Sequence, residues 1–139
     1  MVEPRHIRVI VADNHQVVRA GLAVALQAQP DLDLVGEASD GAEALEVCAR
    51  TQPDVVLMDL VMPGMDGVKA MQAIHQAYPQ VQIIVLSSFG KEELGKAALW
   101  AGATIYLSKD VTGEELAAAI RHVSAGLLSG FEDTQSISA

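Results

Sequence analysis

Positive charge is scarce in this chain. Its 139 residues hold 9 lysines and arginines against 18 aspartates and glutamates, a formal net charge of −9. Nucleic-acid affinity comes mainly from basic groups that neutralise phosphates, so this balance argues against direct nucleic-acid binding by the chain. It suits a cation or a basic surface as partner. Cysteine is nearly absent as well. Cys48 stands alone, which excludes an internal disulfide, and it falls three residues after Leu45 in a helical pattern, the place of a small buried hydrophobe. No apolar run approaches the ~20 residues needed to cross a bilayer, so no membrane partner is expected. The opening MVEPRHIR lacks the apolar stretch of a secretory signal, and a cytoplasmic location follows as the expectation.

What is present alternates between two periods. IRVIVAD (7–13) is a short β-branched run and reads as a strand; Val18, Leu22, Ala25 and Leu26 then mark one helical face that ends before Pro30. LDLVGEAS (32–39) reads as a more polar strand, suited to a sheet edge, and Asp40 with Glu43 as a capping box opening a helix through Arg50. DVVLMD (54–59) is the third strand, followed by a helix that Asp66 can cap and that Pro79 stops. VQIIVLSS (81–88) is the fourth strand, KEELGKAALWAG (91–102) a helix weakened by Gly95, and ATIYLSK (103–109) the fifth strand. Thr112 with Glu115 caps a last helix to about Gly126. Strands alternating with helices imply a doubly wound α/β fold: parallel strands, right-handed crossovers, helices on both faces. Residues 127–139 show no further periodicity and read as a linker or disordered tail.

The third strand poses a chemical question. Val55 to Met58 belong in the interior, yet they deliver a carboxylate, Asp59. A buried unpaired charge is costly, so such a residue needs a partner or a task. Ligands of open parallel sheets bind beyond the carboxyl ends of the strands. Those ends carry Asp13-Asn14, Asp59, Ser87-Ser88 and Ser108-Lys109 on strands one, three, four and five. In the usual order 2-1-3-4-5 these strands are neighbours, ~4.8 Å apart, so Asp13 and Asp59 can share one ion. Singly, each residue is a turn, a strand-end hydroxyl or a solvated charge. Jointly they suit phosphoryl chemistry on a carboxylate: an aspartate nucleophile, Mg²⁺ on oxygen ligands, a lysine and a hydroxyl for the phosphoryl oxygens.

Residues 6–126 resemble a response-regulator receiver domain of two-component signalling. The resemblance lies in VADN after strand one, LMDLVMPGMDG around Asp59, VLSS at strand four and YLSKD at strand five. DNHQVVRAGL and YLSKD are similar to the LuxR/NarL-type branch, often joined to a helix-turn-helix. The resemblance implies a flavodoxin-like five-stranded sheet across residues 1–126. It implies that Asp59 accepts a phosphoryl group from a sensor histidine kinase. Mg²⁺ would be held by Asp13, Asn14, Asp59 and the backbone carbonyl of Val61. Lys109 and Ser87 would contact the phosphoryl group, with Ser87 and Tyr106 as the switch pair. The output face would span residues about 90–125, and homodimerisation through it, or through helices one and five, is compatible. Transcriptional output would need a DNA-binding domain that this chain lacks.

Several positions depart from the family pattern. The second acid of the metal pair is Asn14, whose amide oxygen can coordinate without a formal charge, so a weaker cation site is expected. Val61 and Phe89 are apolar where the hydrolytic water passes, which predicts slow loss of phosphate. A haloacid-dehalogenase-type phosphatase would need an acid at Val61, so no enzymatic turnover is expected beyond self-phosphorylation and self-dephosphorylation. A flavodoxin-like electron carrier would need a glycine- and hydroxyl-rich loop in place of VADNHQ. A receiver-like interaction domain that works without phosphorylation is the remaining rival. His15 reads as part of a helix start, and His6, His75 and His122 show no ligand spacing. Met58, Met62, Met65 and Met71 read as packing or surface.

Overall fold

The two periods fold as the alternation requires. The computed structural model describes residues 6–60, 67–87, 96, 97, 99, 102–126 and 130–131. Its elements are β1 (Ile7–Ala12), α1 (Gln16–Gln27), β2 (Leu32–Ala38), α2 (Gly41–Thr51), β3 (Val55–Asp59), α3 (Gly67–Ala77), β4 (Gln82–Ser87), β5 (Ile105–Ser108), α4 (Gly113–Ser124) and β6 (Gly130–Phe131). The sheet order is β2-β1-β3-β4-β5-β6, all parallel. The first five strands therefore take the expected order, and polar β2 lies at an edge. Lys96, Ala97 and Leu99 are helical within the stretch expected as a helix over 91–102.

Alternation along each strand divides the core into two layers. Ile10, Val56, Met58, Ile83, Val85 and Tyr106 pack on one side of the sheet with Val47 and Cys48 of α2 and Met71 and Ile74 of α3. Val9, Val11, Val55, Leu57, Ile84, Leu86, Ile105 and Leu107 pack on the other with Leu26 of α1 and Leu116, Ile120 and Val123 of α4. Strands buried on both faces read as continuous apolar runs, as β3 and β4 do. Cys48 is fully buried, and burial pushes its thiol up to about 11.

The helix ends show where local chemistry agreed with expectation and where it shifted. Thr112 and Glu115 form the complete capping box, each side chain accepting from the other's backbone N–H at 3.0 Å. At α2 only half of the expected box closes. Asp40 Oδ1 accepts from the Glu43 N–H at 2.8 Å, but Glu43 Oε1 reaches one residue further back, to the Ser39 N–H at 2.8 Å. The Ser39 N–H, just past the end of β2, is thereby satisfied.

The tail expectation is corrected in part. Gly130 and Phe131 pair with Ile105 and Tyr106 as a sixth strand, so the chain returns to the sheet within residues read as linker. Two residues are too short for a periodic signal, and an open β5 edge supplies unpaired backbone groups for them.

Candidate functional site

One further step of two residues beyond the α1/α4 layer explains the rim. Val9 and Val11, Val55 and Leu57, Ile105 and Leu107 all face that layer. The next residues at the same spacing are Asp13, Asp59 and Lys109. Because Ala12 pairs with Met58, Asp13 and Asp59 follow side by side at the carboxyl ends of adjacent strands. Both are buried, with 1% and 5% exposure.

Lys109 joins them across the sheet. β5 lies two strands from β3, about 10 Å away at the usual spacing, a gap that a long flexible side chain can close. Its Nζ donates to Asp59 Oδ2 at 2.9 Å and to Asp13 Oδ2 at 3.3 Å. Burial alone would lower the ammonium pKa; the hydrogen bond and charge of Asp59, then Asp13, outweigh it and raise it. Two carboxylates against one ammonium leave the rim with a surplus negative charge.

The β1 end is tied down from several directions. The Asp13 N–H donates to the Ala38 carbonyl at 3.0 Å, fixing the β1 end against β2. Arg19 Nη1 donates to the Asp13 carbonyl at 2.7 Å, while its Nε pairs with Glu37 at 3.3 Å. The His15 N–H donates to Asp13 Oδ1 at 2.8 Å, and His15 Nδ1 lies 3.2 Å from that oxygen. His15 and Arg19 were not among the expected site residues. Their signal was adjacency to Asp13 in DNHQVVR, which a helix-start reading absorbs.

The donor set suits a divalent cation. Asp13, Asp59 and a ring nitrogen of His15 offer ligand atoms that lie within 4.8 Å of one another. Beside them, Asn14 Oδ1 is buried and has no hydrogen-bond partner in the protein. A buried acceptor without a donor is the kind of group a cation satisfies. Of the expected ligands, Asp13 and Asp59 form an acidic pocket compatible with a divalent cation, and Asn14 would add its amide oxygen; Val61 lies outside the described residues.

Ser87 ends β4 in register with Ser108, one residue before Lys109, and Leu86 pairs with Asp59. Tyr106 is buried in the opposite core layer and pairs with Val85, two residues before Ser87. The strand register thus links the rim to Tyr106 through one strand. Phe89 lies outside the described residues. Among the described residues, no helix is long and apolar enough to cross a membrane.

A model of the response regulator receiver domain matches residues 9–121, which span every strand end just described. The chain belongs to the response-regulator receiver family. The transcriptional regulatory protein LiaR of Bacillus subtilis is 47% identical to this receiver over 120 residues, 86% of the chain and 57% of LiaR. The response regulator protein VraR of Staphylococcus aureus is 38% identical with the same coverage. The receiver therefore spans little more than half the length of these relatives. Among solved structures, the signal receiver domain of the putative response regulator NarL from Mycobacterium tuberculosis matches with a TM-score of 0.83 at 36% identity, covering 88% of this chain and 99% of that one. A LuxR-family two-component response regulator from an Aurantimonas species matches with a TM-score of 0.84 at 30% identity, covering 96% and 93%. These relatives place the receiver in the LuxR/NarL branch, with the flavodoxin-like fold.

Proposed function

We propose that this receiver takes a phosphoryl group from a sensor histidine kinase onto Asp59 and uses it to reset an output face. The observation that carries the reading is the Lys109 ammonium held between Asp59 and Asp13 at 2.9 and 3.3 Å. It places a positive charge beside Asp59, where phosphoryl oxygens would gather.

In the transfer, an Asp59 carboxylate oxygen attacks phosphorus and forms an acyl phosphate. The bond from phosphorus to the kinase imidazole breaks, and that nitrogen keeps the electron pair and takes a proton from solvent. Lys109 exchanges its carboxylate contacts for a phosphoryl oxygen, and Ser87 donates to another. A bound Mg²⁺ supplies charge neutralisation for the incoming phosphoryl group, held by Asp13, Asn14 and Asp59. Ser87 and Tyr106 couple that change to residues about 90–125. By analogy with LiaR, the output is transcriptional and acts through a DNA-binding domain outside this chain. The setting is cytoplasmic, and a homodimer of the phosphorylated form is compatible.

Asn14 favours a second reading, a receiver-like module that interacts without phosphorylation, because it removes one charge from the cation site. Incubation with acetyl phosphate and Mg²⁺, followed by intact mass measurement, separates the two. A phosphoryl adduct that Asp59→Asn abolishes supports the first reading. An unmodified mass, with no beryllofluoride-induced change at Tyr106, supports the second.

A further inference from the structure

His15 is the rim residue to which phosphoryl transfer gives no task. It occupies the N-cap position of α1 but makes no side-chain capping bond, so helix initiation does not explain it. Its imidazole is 59% exposed, yet Nδ1 lies 3.2 Å from Oδ1 of the buried Asp13 carboxylate. One ring nitrogen and one oxygen each from Asp13 and Asp59 lie within 4.8 Å of one another, a spacing that one ion can bridge. Asn14, the neighbouring residue, contributes a buried amide oxygen without a partner in place of a third carboxylate.

The chemistry of that set differs from an all-oxygen acidic site. Mg²⁺ takes oxygen ligands in a near-ideal octahedron and gives up its waters reluctantly. Fewer anionic oxygens weaken its hold. First-row transition-metal dications bind imidazole far better than Mg²⁺ does. The Nδ1–Asp13 contact at 3.2 Å already brings the ring to the acidic pair.

We propose that the rim is a mixed nitrogen–oxygen site in which His15 ligates the cation beside Asp13, Asn14 and Asp59, favouring a first-row transition-metal ion over Mg²⁺. The inference rests on the receiver reading for the presence of a cation next to Asp59.

Calorimetric titration of the full chain with MgCl₂ and with CoCl₂ tests it, with the visible absorption of Co²⁺ reporting nitrogen ligation. Co²⁺ is expected to bind about tenfold or more tightly than Mg²⁺. His15→Gln keeps an amide donor toward Asp13 and lacks the imidazole; it should weaken Co²⁺ about tenfold and leave Mg²⁺ within about twofold. Asp59→Asn should weaken both. Equal affinities in the parent chain overturn the assignment. So does a His15→Gln variant in which both metals weaken alike or neither does, and so does Co²⁺ binding that survives Asp59→Asn. Beryllofluoride adduct formation, measured in parallel by mass, keeps the two readings apart. An adduct with Mg²⁺ and no metal discrimination defeats only the His15 assignment. No adduct with either metal defeats phosphoryl acceptance at Asp59, while the affinity ratio still decides His15.

Discussion

Gly67 lies so close to Leu60 that a Cβ on it would overlap the Leu60 backbone, carbonyl oxygen included. Leu60 directly follows Asp59, so the first residue of α3 presses on the chain as it leaves the acceptor strand. Only glycine permits that approach, because the obstacle is backbone and cannot rotate away. Gly67→Ala should therefore destabilise the fold by about 1–3 kcal/mol, the range for forced overpacking. Urea denaturation checks it, and the midpoint should fall without a change in slope. An unchanged midpoint would mean the loop has room to relax.

Removing Lys109 should cost more than removing the carboxylate it serves. Lys109→Met leaves two buried carboxylates with no ammonium between them. Breaking a buried ion pair from one side destabilises by roughly 3–5 kcal/mol. Asp59→Asn removes one surplus charge and leaves the Asp13–Lys109 contact in place, so its loss should be much smaller. Thermal melts of both variants test the order. Millimolar Mg²⁺ should recover more stability in Lys109→Met than in the parent, since a bound cation stabilises by mass action and replaces the missing charge.

The pair that closes α4 onto the α1–β2 turn sets an acid limb. Arg121 Nε and Nη2 donate to the two Asp31 oxygens at 2.8 and 2.9 Å, and Nη2 also donates to Gln29 Oε1 at 2.7 Å. The Arg121 hydrogen bond holds the Asp31 carboxyl below its usual range. An acid whose folded pKa is depressed lends stability above its unfolded value, near 3.9, and loses it as pH falls through the folded one. The Arg121 and Asp31 side chains are 39% and 34% exposed, so solvent screening limits the pair to about 0.5–1 kcal/mol. Arg121→Ala should melt lower than the parent from about pH 5 to 8, and the gap should close below about pH 4. A gap that persists at pH 2.5 would assign the loss to packing of the arginine stem.

Much of this was legible in the chain because each signal was local. The apolar runs marked five strands, the usual doubly wound order placed them, and a step of two along strands one, three and five leads to Asp13, Asp59 and Lys109. Charge and strand order brought Lys109 to the rim of Asp59, while its direct bond to that carboxylate came only with the structure. His15 and Arg19 were not legible as rim residues, because side-chain direction at the first turn of a helix depends on how α1 packs on the sheet. The second arm of the α2 cap shifted to Ser39 for a similar reason: Glu43 could satisfy either of two neighbouring N–H groups. The strand at Gly130–Phe131 left no periodic trace, since its partner is an edge 25 residues earlier in the register, Ile105 with Gly130.

The position most able to retune the rim is Asn14. Its Oδ1 is buried without a hydrogen-bond partner next to Asp13 in the chain, and Asn14→Asp changes charge with almost no change of shape. Without metal, the variant carries three carboxylates against one ammonium and should melt below the parent. Like charges ~4 Å apart repel by about 1 kcal/mol in water and about 4 kcal/mol near a protein surface, which sets the scale of that loss. With Mg²⁺ the sign should reverse. The new carboxylate binds the ion directly, and an affinity gain of about tenfold corresponds to about 1.4 kcal/mol. Melting curves of both proteins across a Mg²⁺ series should therefore cross, the variant rising from below to above the parent. Parallel curves would mean that the side chain at position 14 does not reach the ion.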